Sequence, residues 1–368
     1  MHALKPFQIE ALDSLESRSH TLLIAPTGSG KSLVFQRYIE IHRNRVRALV
    51  VSPLTALARQ HEAGFKRLGI PLDPESGSGV RVLSPERLLG SSFRKLAEWR
   101  PDLLVVDEAH CIEEWGDRFR PRFAELPQVH CRLGIPKTLW LSATLPPSAR
   151  SGLREALGRE LNELGRFSLT QALDLSIERV DPALRYERLL QLPSQFRDKS
   201  GMIFVNTREA SERVGAWLRV AGIRSRPYHA GMSREERLAL ETEFRERGRG
   251  HPLWIVATSA FGMGMDYDFL EVCLLFEPPF SLLALAQAVG RVGRGGRPAT
   301  ARVWWHPDDF SRHRWLTQGS DRAGERMAEV REWCSCPDPV PALEKYFNGV
   351  PVSGKLRSET ETHHGTPE

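Results

Sequence analysis

Residues 25–32 read Ala-Pro-Thr-Gly-Ser-Gly-Lys-Ser and lie between a predicted strand, 21–25, and a predicted helix, 32–42. Glycines in such a turn let backbone N–H groups approach phosphate oxygens, and the helix presents the positive end of its dipole to the same anion. An ordinary Gly/Ser turn is the alternative, but strand, turn and helix in this order favour a site for ATP and Mg²⁺. Lys31 would contact the outer phosphates and the Ser32 hydroxyl would bind the metal ion. The residues predicted to bind nucleotide here are Thr27, Gly28, Ser29, Gly30, Lys31 and Ser32.

The rest of the chain alternates short apolar runs with longer amphipathic segments. Near-continuous apolar runs are typical of parallel strands covered on both faces, and helices between them indicate an α/β fold. The pattern restarts in the second half, which predicts two tandem domains, each built on a parallel sheet. The predicted strands cover residues 21–25, 48–52, 102–107 and 138–142, then 201–205, 252–257 and 271–276.

The interval from 151 to 192 separates the two sets of strands. It is charged and has few strand signals, so we expect it to be largely helical and place the domain boundary near residue 155. The end of the chain is polar and lacks aromatic side chains, which is typical of a disordered tail. The predicted organisation is a first domain over 1–154, a second over 155–305, a helical extension over 306–352 and a tail over 353–368.

The composition of the 368 residues is that of a globular chain, with 41% hydrophobic and 26% charged residues. This balance excludes a collagenous, coiled-coil or wholly disordered protein. Lysine and arginine number 51 against 46 acidic residues, and the net charge of +5 permits a polyanionic partner without requiring one. Five cysteines, no apolar leader and no clean spanning segment lead us to expect a cytoplasmic protein that does not bind a membrane.

An acidic pair ends one of the predicted strands. Residues 107–110 read Asp-Glu-Ala-His, directly after an apolar run. Asp107 would hold Mg²⁺ through water, and Glu108 would orient and deprotonate the attacking water. The start of a capped helix is the alternative interpretation of the same residues.

Two arginines lie three positions apart in the second half, where residues 287–294 read Gln-Ala-Val-Gly-Arg-Val-Gly-Arg. If this stretch is helical, Arg291 and Arg294 share one face. A solvated basic face is the usual explanation of such a pair. With the phosphate-binding turn and the acidic pair in the same chain, we favour arginine fingers that stabilise the transition state of phosphoryl transfer. Gln287 is grouped with them as a catalytic candidate.

Together these motifs resemble those of superfamily 2 helicases and, within them, the RecQ family of DNA helicases. The resemblance covers roughly residues 4–305. It implies two tandem RecA-like domains, movement 3′ to 5′ on single-stranded DNA driven by ATP hydrolysis, and a contact between Gln8 and adenine. Besides the stretches quoted above, it rests on Lys5-Pro-Phe-Gln8, Val51-Ser-Pro-Leu54, Leu83-Ser-Pro-Glu-Arg-Leu88, Leu141-Ser-Ala-Thr144, Ile203-Phe-Val-Asn-Thr207, Tyr228-His-Ala-Gly231 and Ala257-Thr-Ser-Ala-Phe-Gly-Met-Gly264.

The most discriminating stretch follows the acidic pair. Cys111-Ile-Glu-Glu-Trp-Gly-Asp-Arg-Phe-Arg-Pro-Arg-Phe123 is similar to the aromatic-rich loop of RecQ helicases, which DEAD-box and DEAH-type RNA helicases lack. Trp115, Phe119 and Phe123 could stack on unpaired bases, a contact worth about 1–3 kcal/mol per base. Arg118, Arg120 and Arg122 could hold phosphates. A small aromatic cluster packed on the edge of the sheet is the alternative.

The resemblance also implies nucleic-acid contacts in both domains. Binding through the DNA backbone would be independent of sequence and sensitive to salt. His229 could equally be a satisfied core histidine. The candidates are Ser52, Arg59, Trp115, Phe119 and Arg120, then Asn206, His229 and Thr258, with Asp266 as a further nucleotide contact.

RecQ proteins usually carry a four-cysteine zinc subdomain, a winged-helix domain and a terminal domain that binds single strands. Only Cys334 and Cys336 lie close together, so we expect no structural zinc and no room for the other domains. The expected partner is single-stranded or tailed duplex DNA. Two alternatives stay open: an RNA helicase, and an ATP-switched DNA-binding subunit whose protein partner, in a repair or defence complex, supplies the missing domains.

Overall fold

Two six-stranded sheets, each with parallel pairing throughout, form the framework of the protein. The computed structural model describes residues 3–53, 55–112, 121–158, 161–169, 172–191, 195–196, 199–247, 250–258, 267–316 and 322–349. The α/β class and the two tandem RecA-like domains predicted from the sequence are confirmed. None of the helices described is long and apolar enough to cross a membrane.

The first sheet has the strand order β3-β2-β4-β5-β1-β6. Its central strands are buried along their whole length, which explains why the sequence shows continuous apolar runs there instead of alternation. The strands are β1 (His20–Ile24), β2 (Arg47–Val51), β3 (Gly79–Leu83), β4 (Leu103–Val106), β5 (Lys137–Ser142) and β6 (Leu161–Gly165). The accompanying helices are α1 (Pro6–Ser17), α2 (Ser32–Ile41), α3 (Thr55–Arg67), α4 (Pro85–Leu88), α5 (Phe93–Trp99), α6 (Val129–Leu133) and α7 (Pro147–Leu157).

The second sheet has the strand order β7-β12-β11-β8-β10-β9. A side chain at Gly201, which begins β8, would overlap the Trp254 ring on the neighbouring strand, so glycine allows that ring to lie across the sheet. The strands are β7 (Leu173–Arg179), β8 (Gly201–Phe204), β9 (Ser225–Tyr228), β10 (Trp254–Ala257), β11 (Val272–Leu275) and β12 (Ala299–Trp305). The helices of this half are α8 (Arg185–Leu189), α9 (Arg208–Val220), α10 (Arg234–Arg247) and α11 (Leu282–Val289).

Three helices follow β12, namely α12 (Pro307–Leu316), α13 (Ala323–Cys334) and α14 (Pro339–Phe347). The last one returns to the segment that joins the two sheets. The side chain of Asn348 makes two hydrogen bonds to the backbone of Phe167, one to its N–H and one to its carbonyl, both at 3.0 Å. Arg150 of α7 donates to the carbonyl of Phe347 at 3.1 Å. The C-terminal helix therefore ties the connecting segment to both halves of the molecule.

The expectation that residues 151–192 are largely helical is wrong at two places, because 161–165 and 173–179 form β6 and β7. Both strands lie at sheet edges, where polar side chains face solvent and weaken the apolar signal. The boundary predicted near residue 155 precedes β6, which pairs with β1, so the first sheet extends to Gly165. Edge strands β3 and β9, which carry arginines, were missed for the same reason.

Candidate ATP site and nucleic-acid interface

The carboxyl ends of four neighbouring strands assemble the candidate site in the first sheet. Strands β2, β4, β5 and β1 are adjacent, and parallel strands end at the same edge. In open α/β sheets, ligands bind at this edge. The residues that follow or end these strands are Ser52, Asp107, Ser142 and Ala25.

The glycine-rich turn is shaped by two left-handed glycines and held from one side by α1. Gly28 has φ 75° and Gly30 has φ 91°, conformations that glycine adopts without strain. A side chain at Gly30 would also meet the amide nitrogen of Gln8. That amide donates to the carbonyl of Gly30 at 2.9 Å, while its oxygen accepts from the backbone N–H of Lys5 at 2.8 Å. Gln8 thus supports the turn from α1 but is not among the residues that line the cleft, and its contact with adenine stays a prediction.

Lys31 lies inside the curve of the turn. Its ammonium group donates to the carbonyls of Ala25, at 2.8 Å, and Pro26, at 3.1 Å. Burial lowers its pKa, and the nearby carboxylates of Glu108 and Asp107 oppose that shift without cancelling it. Because a desolvated ammonium gains strongly from a phosphate partner, this position suits contact with the phosphates of ATP.

Both oxygens of Asp107 are held by hydrogen bonds. Its Oδ2 lies 2.8 Å from Nε2 of His61, and its Oδ1 accepts from the backbone N–H of Glu108 at 3.1 Å. Each oxygen keeps a second lone pair, which can accept from water bound to Mg²⁺.

Glu108 occupies a backbone conformation that is rare for a residue with a side chain, with φ 53°. Burial alone would raise the pKa of its carboxyl, but His110, Lys31 and Arg291 lower it to about 2. Glu108 is therefore ionised at neutral pH. An ionised carboxylate at this place can orient a water molecule and accept its proton, the two tasks predicted for Glu108.

His110 connects the acidic pair to the end of β5. Its Nδ1 lies 3.3 Å from Oε2 of Glu108 and 3.2 Å from the hydroxyl of Ser142. That hydroxyl donates in turn to the carbonyl of Thr144 at 2.5 Å. Burial would lower the pKa of His110, but the Cys111 sulfur and the Glu108 carboxylate raise it well above its usual value. The raised pKa of His110 favours a charged imidazole ring beside the carboxylate of Glu108.

The arginine pair of the second half reaches this site, although not from a helix. Helix α11 ends at Val289, so Arg291 lies beyond it and Arg294 begins a 3₁₀ turn, which corrects the premise that the two share one helical face. The helix ends here because of Gly290 and Gly293, and Gly293 has the left-handed φ of 68°. Burial lowers the pKa of Arg291 to about 10, and Arg294 contributes to that shift.

One cleft of about 760 Å³ unites these groups, a volume typical of a ligand site. Both halves of the molecule line it. All six catalytic candidates are present: Lys31, Asp107, Glu108, Gln287, Arg291 and Arg294. Four further nucleotide candidates also line it: Thr27, Gly28, Gly30 and Ser32.

The oxygen donors in the cleft fit Mg²⁺. The hydroxyl of Ser32 and the carboxylate of Asp107 line it together. Within the described ranges, no three His, Cys, Asp or Glu side chains gather so that they could hold a metal ion by themselves. Mg²⁺ suits such a sparse site, because it usually keeps several waters and takes the rest of its ligands from phosphates.

The nucleic-acid candidates of the second half also lie at strand ends. Adjacent strands β8, β10 and β9 are followed by Asn206, Thr258 and His229. His229 is buried, and its Nε2 lies 2.9 Å from a carboxylate oxygen of Glu212, which agrees with the interpretation as a satisfied histidine. The Asn206 amide donates to the carbonyl of Pro278 and contacts Nε2 of His313 at 2.9 Å.

The remaining candidates divide by exposure. Ser52 is buried at the end of β2, and Arg59 is exposed on α3. The prediction that Phe123 stacks on bases is wrong, because its side chain is buried in the core of the first half. Arg118 and the side chain of Arg122 lie outside the described part of the chain. The aromatic-rich candidates Trp115, Phe119 and Arg120, and the nucleotide candidate Asp266, lie outside the described residues. Their roles stay predictions.

Comparison with known proteins agrees with this geometry. A family model for the DEAD/DEAH box helicase matches residues 5–151, and one for the helicase conserved C-terminal domain matches 184–296. The probable ATP-dependent DNA helicase RecS of Bacillus subtilis is 28% identical over 352 residues, which are 89% of this chain and 69% of RecS. The ATP-dependent DNA helicase RecQ of Pasteurella multocida is 28% identical over 330 residues, 84% of this chain and 50% of RecQ. The chain belongs to the RecQ-like helicases of superfamily 2.

A solved structure shows the same fold. S. cerevisiae Dbp5 bound to RNA and ADP BeF3 superposes with a TM-score of 0.62 at 17% identity, covering 90% of this chain and 97% of Dbp5. At such low sequence identity, the similarity supports a common fold and no statement about function. This RecQ-like chain spans about half of the length of the Pasteurella relative, so activity and substrate are matters for a proposal.

Sequence analysis of this RecQ-like chain missed His61, which lines the cleft and contacts Asp107. The two residues are 46 positions apart, and no local pattern signals their contact. It also missed the wall formed by α10, where Leu238, Glu241 and Arg245 face the cleft. Those residues look like any exposed face of a charged helix.

Proposed function

We propose that this RecQ-like chain is an ATP-dependent DNA helicase that moves 3′ to 5′ on single-stranded DNA and separates strands. The observation that carries the proposal is a single cleft completed from both halves of the molecule. Lys31 and Glu108 enter from the first half, and Arg291 and Arg294 from the second. A site built in this way makes ATP hydrolysis depend on how the halves are arranged, which is what a motor requires.

Within the cleft, each residue has a separate task. The turn N–H groups and Lys31 bind the phosphates, while Ser32 and Asp107 hold Mg²⁺. Bound Mg²⁺ supplies positive charge next to the phosphates that react. Glu108 orients the attacking water. Arg291 stabilises the charge that develops in the transition state, and its loss from the site when the halves separate would switch hydrolysis off.

DNA would lie along the strand ends of both sheets. Backbone contacts from Arg59 and from residues after β8, β9 and β10 would be independent of sequence. Affinity should therefore fall steeply with salt. The choice of DNA over RNA rests on the resemblance of residues 111–123 to the RecQ aromatic-rich loop and on the DNA helicases among the relatives.

Tailed duplexes test the proposal directly. Two duplexes that differ only in carrying a 3′ or a 5′ single-stranded tail would be incubated with ATP and Mg²⁺, with Glu108→Gln as the inactive control. We expect strand separation on the 3′-tailed duplex alone. Separation only on the 5′-tailed duplex would refute the polarity. DNA-stimulated hydrolysis without separation on either duplex would favour an ATP-switched subunit over a self-sufficient helicase.

A further inference from the structure

We propose that His61 is a positioning residue of the metal site, which fixes the carboxylate of Asp107 and thereby sets the affinity for ATP in the presence of Mg²⁺. This inference rests on the proposed ATP-hydrolysing function, because it assigns a task within that site. His61 belongs to α3, and neither the acidic pair nor the glycine-rich turn includes it.

The geometry around His61 is tightly constrained. Its side chain is 3% exposed, and Nε2 lies 2.8 Å from Oδ2 of Asp107. Its ring and the ring of Phe35 on α2 meet in a T-shaped contact, with centroids 5.2 Å apart and planes at 74°. Helices α2 and α3 therefore determine together where the imidazole nitrogen points.

In the hydrogen bond between His61 and Asp107, the histidine is the donor. An ionised carboxylate only accepts hydrogen bonds, so Nε2 of His61 must carry the hydrogen and donate it. The backbone N–H of Glu108 donates to the other oxygen of Asp107. With one donor on each oxygen, rotation of the carboxylate about its last bond would break both hydrogen bonds, so one orientation is favoured.

Such fixing matters more for Mg²⁺ than for most cations. Mg²⁺ requires near-ideal octahedral geometry, so a carboxylate that turns freely binds its hydrated form poorly. Residues that orient metal ligands from behind typically change metal affinity or activity by about 10–100-fold when they are replaced. The same face of α3 also brings Leu57 and Gln60 to the cleft, so His61 belongs to its wall.

Binding of a non-hydrolysable ATP analogue, AMP-PNP, separates this task from catalysis. Calorimetry would be run in Mg²⁺ and in EDTA on the wild type and two variants. His61→Leu fills the space without a donor, whereas His61→Gln keeps an amide N–H at similar reach. His130→Ala is the matched control, since His130 is also buried in the first half, bonds to the carbonyl of Pro127 and does not line the cleft.

We expect all four proteins to bind the analogue alike in EDTA. In Mg²⁺, His61→Leu should bind AMP-PNP at least about tenfold more weakly than the wild type. His61→Gln and His130→Ala should bind it with nearly the affinity of the wild type. Equal weakening of His61→Leu with and without Mg²⁺, no weakening at all, or the same loss in His130→Ala would overturn the inference. If circular dichroism shows that His61→Leu does not fold, His61→Asn, whose amide is shorter, replaces it under the same criterion.

Failure of this inference and failure of the proposed function are distinguishable. If the wild type binds AMP-PNP more tightly with Mg²⁺ but never separates DNA strands, the proposed function is refuted. The role of His61 is then still decided by the comparison of AMP-PNP affinities among the variants. A wild type that unwinds DNA, with His61→Leu showing unchanged dependence on Mg²⁺, refutes the role of His61 alone.

Discussion

Glu108 combines two properties that a purely structural residue would not need. Its left-handed backbone, φ 53°, costs of order 1–3 kcal/mol for a residue with a side chain. Its pKa of about 2 results from three positive neighbours that outweigh the effect of burial. The surrounding fold stabilises both the left-handed backbone and the ionised side chain. Together they place a charged carboxylate in the cleft between the two halves.

Replacement of Glu108 by glutamine should abolish turnover while ATP still binds. The amide keeps the size of the side chain but cannot accept from water as a carboxylate does, and loss of this task typically lowers kcat by about 10²–10⁴-fold. Steady-state hydrolysis and nucleotide binding would be measured on the same preparation. Glu155→Gln, an exposed glutamate on α7, serves as the matched control. Normal hydrolysis by Glu108→Gln would refute the active-site assignment.

Lys31→Ala should impair the binding of ATP, a step before the hydrolysis that Glu108→Gln blocks. Loss of the ammonium removes the partner of the outer phosphates, so both ATP affinity and turnover should fall. An exposed lysine on α14, Lys345, gives the matched alanine control. Nucleotide affinity equal to that of the wild type would show that Lys31 does not contact phosphate.

At the scale of elements, the helix α12 contributes a buried polar network to the second half. His313 is buried there, its Nε2 accepts from the amide of Asn206, and Asp309 of the same helix pairs with Arg185 at 2.5 Å. Burial lowers the pKa of His313 to about 4; Asp309 opposes that shift, and Arg312 and Arg185 add to it. The ring is therefore neutral at pH 7.

This network predicts a loss of stability in mild acid. A histidine whose pKa is lower in the folded than in the unfolded chain destabilises the fold as pH falls from about 6.5 towards 4, because only the unfolded chain takes up the proton. Between pH 7 and 5, His313 should cost about 2 kcal/mol in the free energy of unfolding. Chemical denaturation at both values would show a smaller difference in His313→Gln. An equal difference in the two proteins would contradict the assignment.

The proposed preference for DNA depends on the segment after the acidic pair, which resembles the RecQ aromatic-rich loop. If Trp115 stacks on an unpaired base, Trp115→Ala should reduce the stimulation of ATP hydrolysis by single-stranded DNA and leave hydrolysis without DNA unchanged. Trp217→Ala, on α9, is a control that removes a half-exposed indole elsewhere. Unchanged stimulation in Trp115→Ala would count against the role of this segment.

Sequence predicts an element well where burial is complete and poorly where it is partial. The core strands β1 and β4 were predicted because all of their residues are buried, whereas the edge strand β6 contains the partly buried Asn162 and Glu163. Lys31 and the acidic pair were found because their spacing is local. His61 was not, since only the tertiary fold brings it to Asp107. The turn that holds Arg291 was mistaken for a helix face because glycine positions decide where α11 ends.

The whole molecule is held together at its connecting segment by the C-terminal helix. Asn348 bonds both backbone groups of Phe167, and Glu344 accepts from the backbone N–H of Leu169 at 3.0 Å. The rings of Phe167 and Phe347 pack with centroids 4.6 Å apart. These contacts fasten α14 to the segment that joins the two sheets, so we expect α14 to restrain relative movement of the two halves.

Asn348→Ala should loosen that restraint. Two hydrogen bonds to backbone groups are lost, which should lower the free energy of unfolding by about 1–3 kcal/mol. The KM for ATP should rise, because the arginines of the second half are held less firmly over the cleft. Lys345→Ala, an exposed change on the same helix, is the control. A lower melting temperature with unchanged KM would limit α14 to a structural role.

The central claim is that nucleic acid controls a cleft shared by the two halves and that this nucleic acid is DNA. ATP hydrolysis by the pure protein should be measured without nucleic acid, with single-stranded DNA and with single-stranded RNA of the same sequence, using Glu108→Gln as the blank. The account predicts strong stimulation by DNA, weak stimulation by RNA and no activity in the blank. Stimulation mainly by RNA, or by neither, would contradict it.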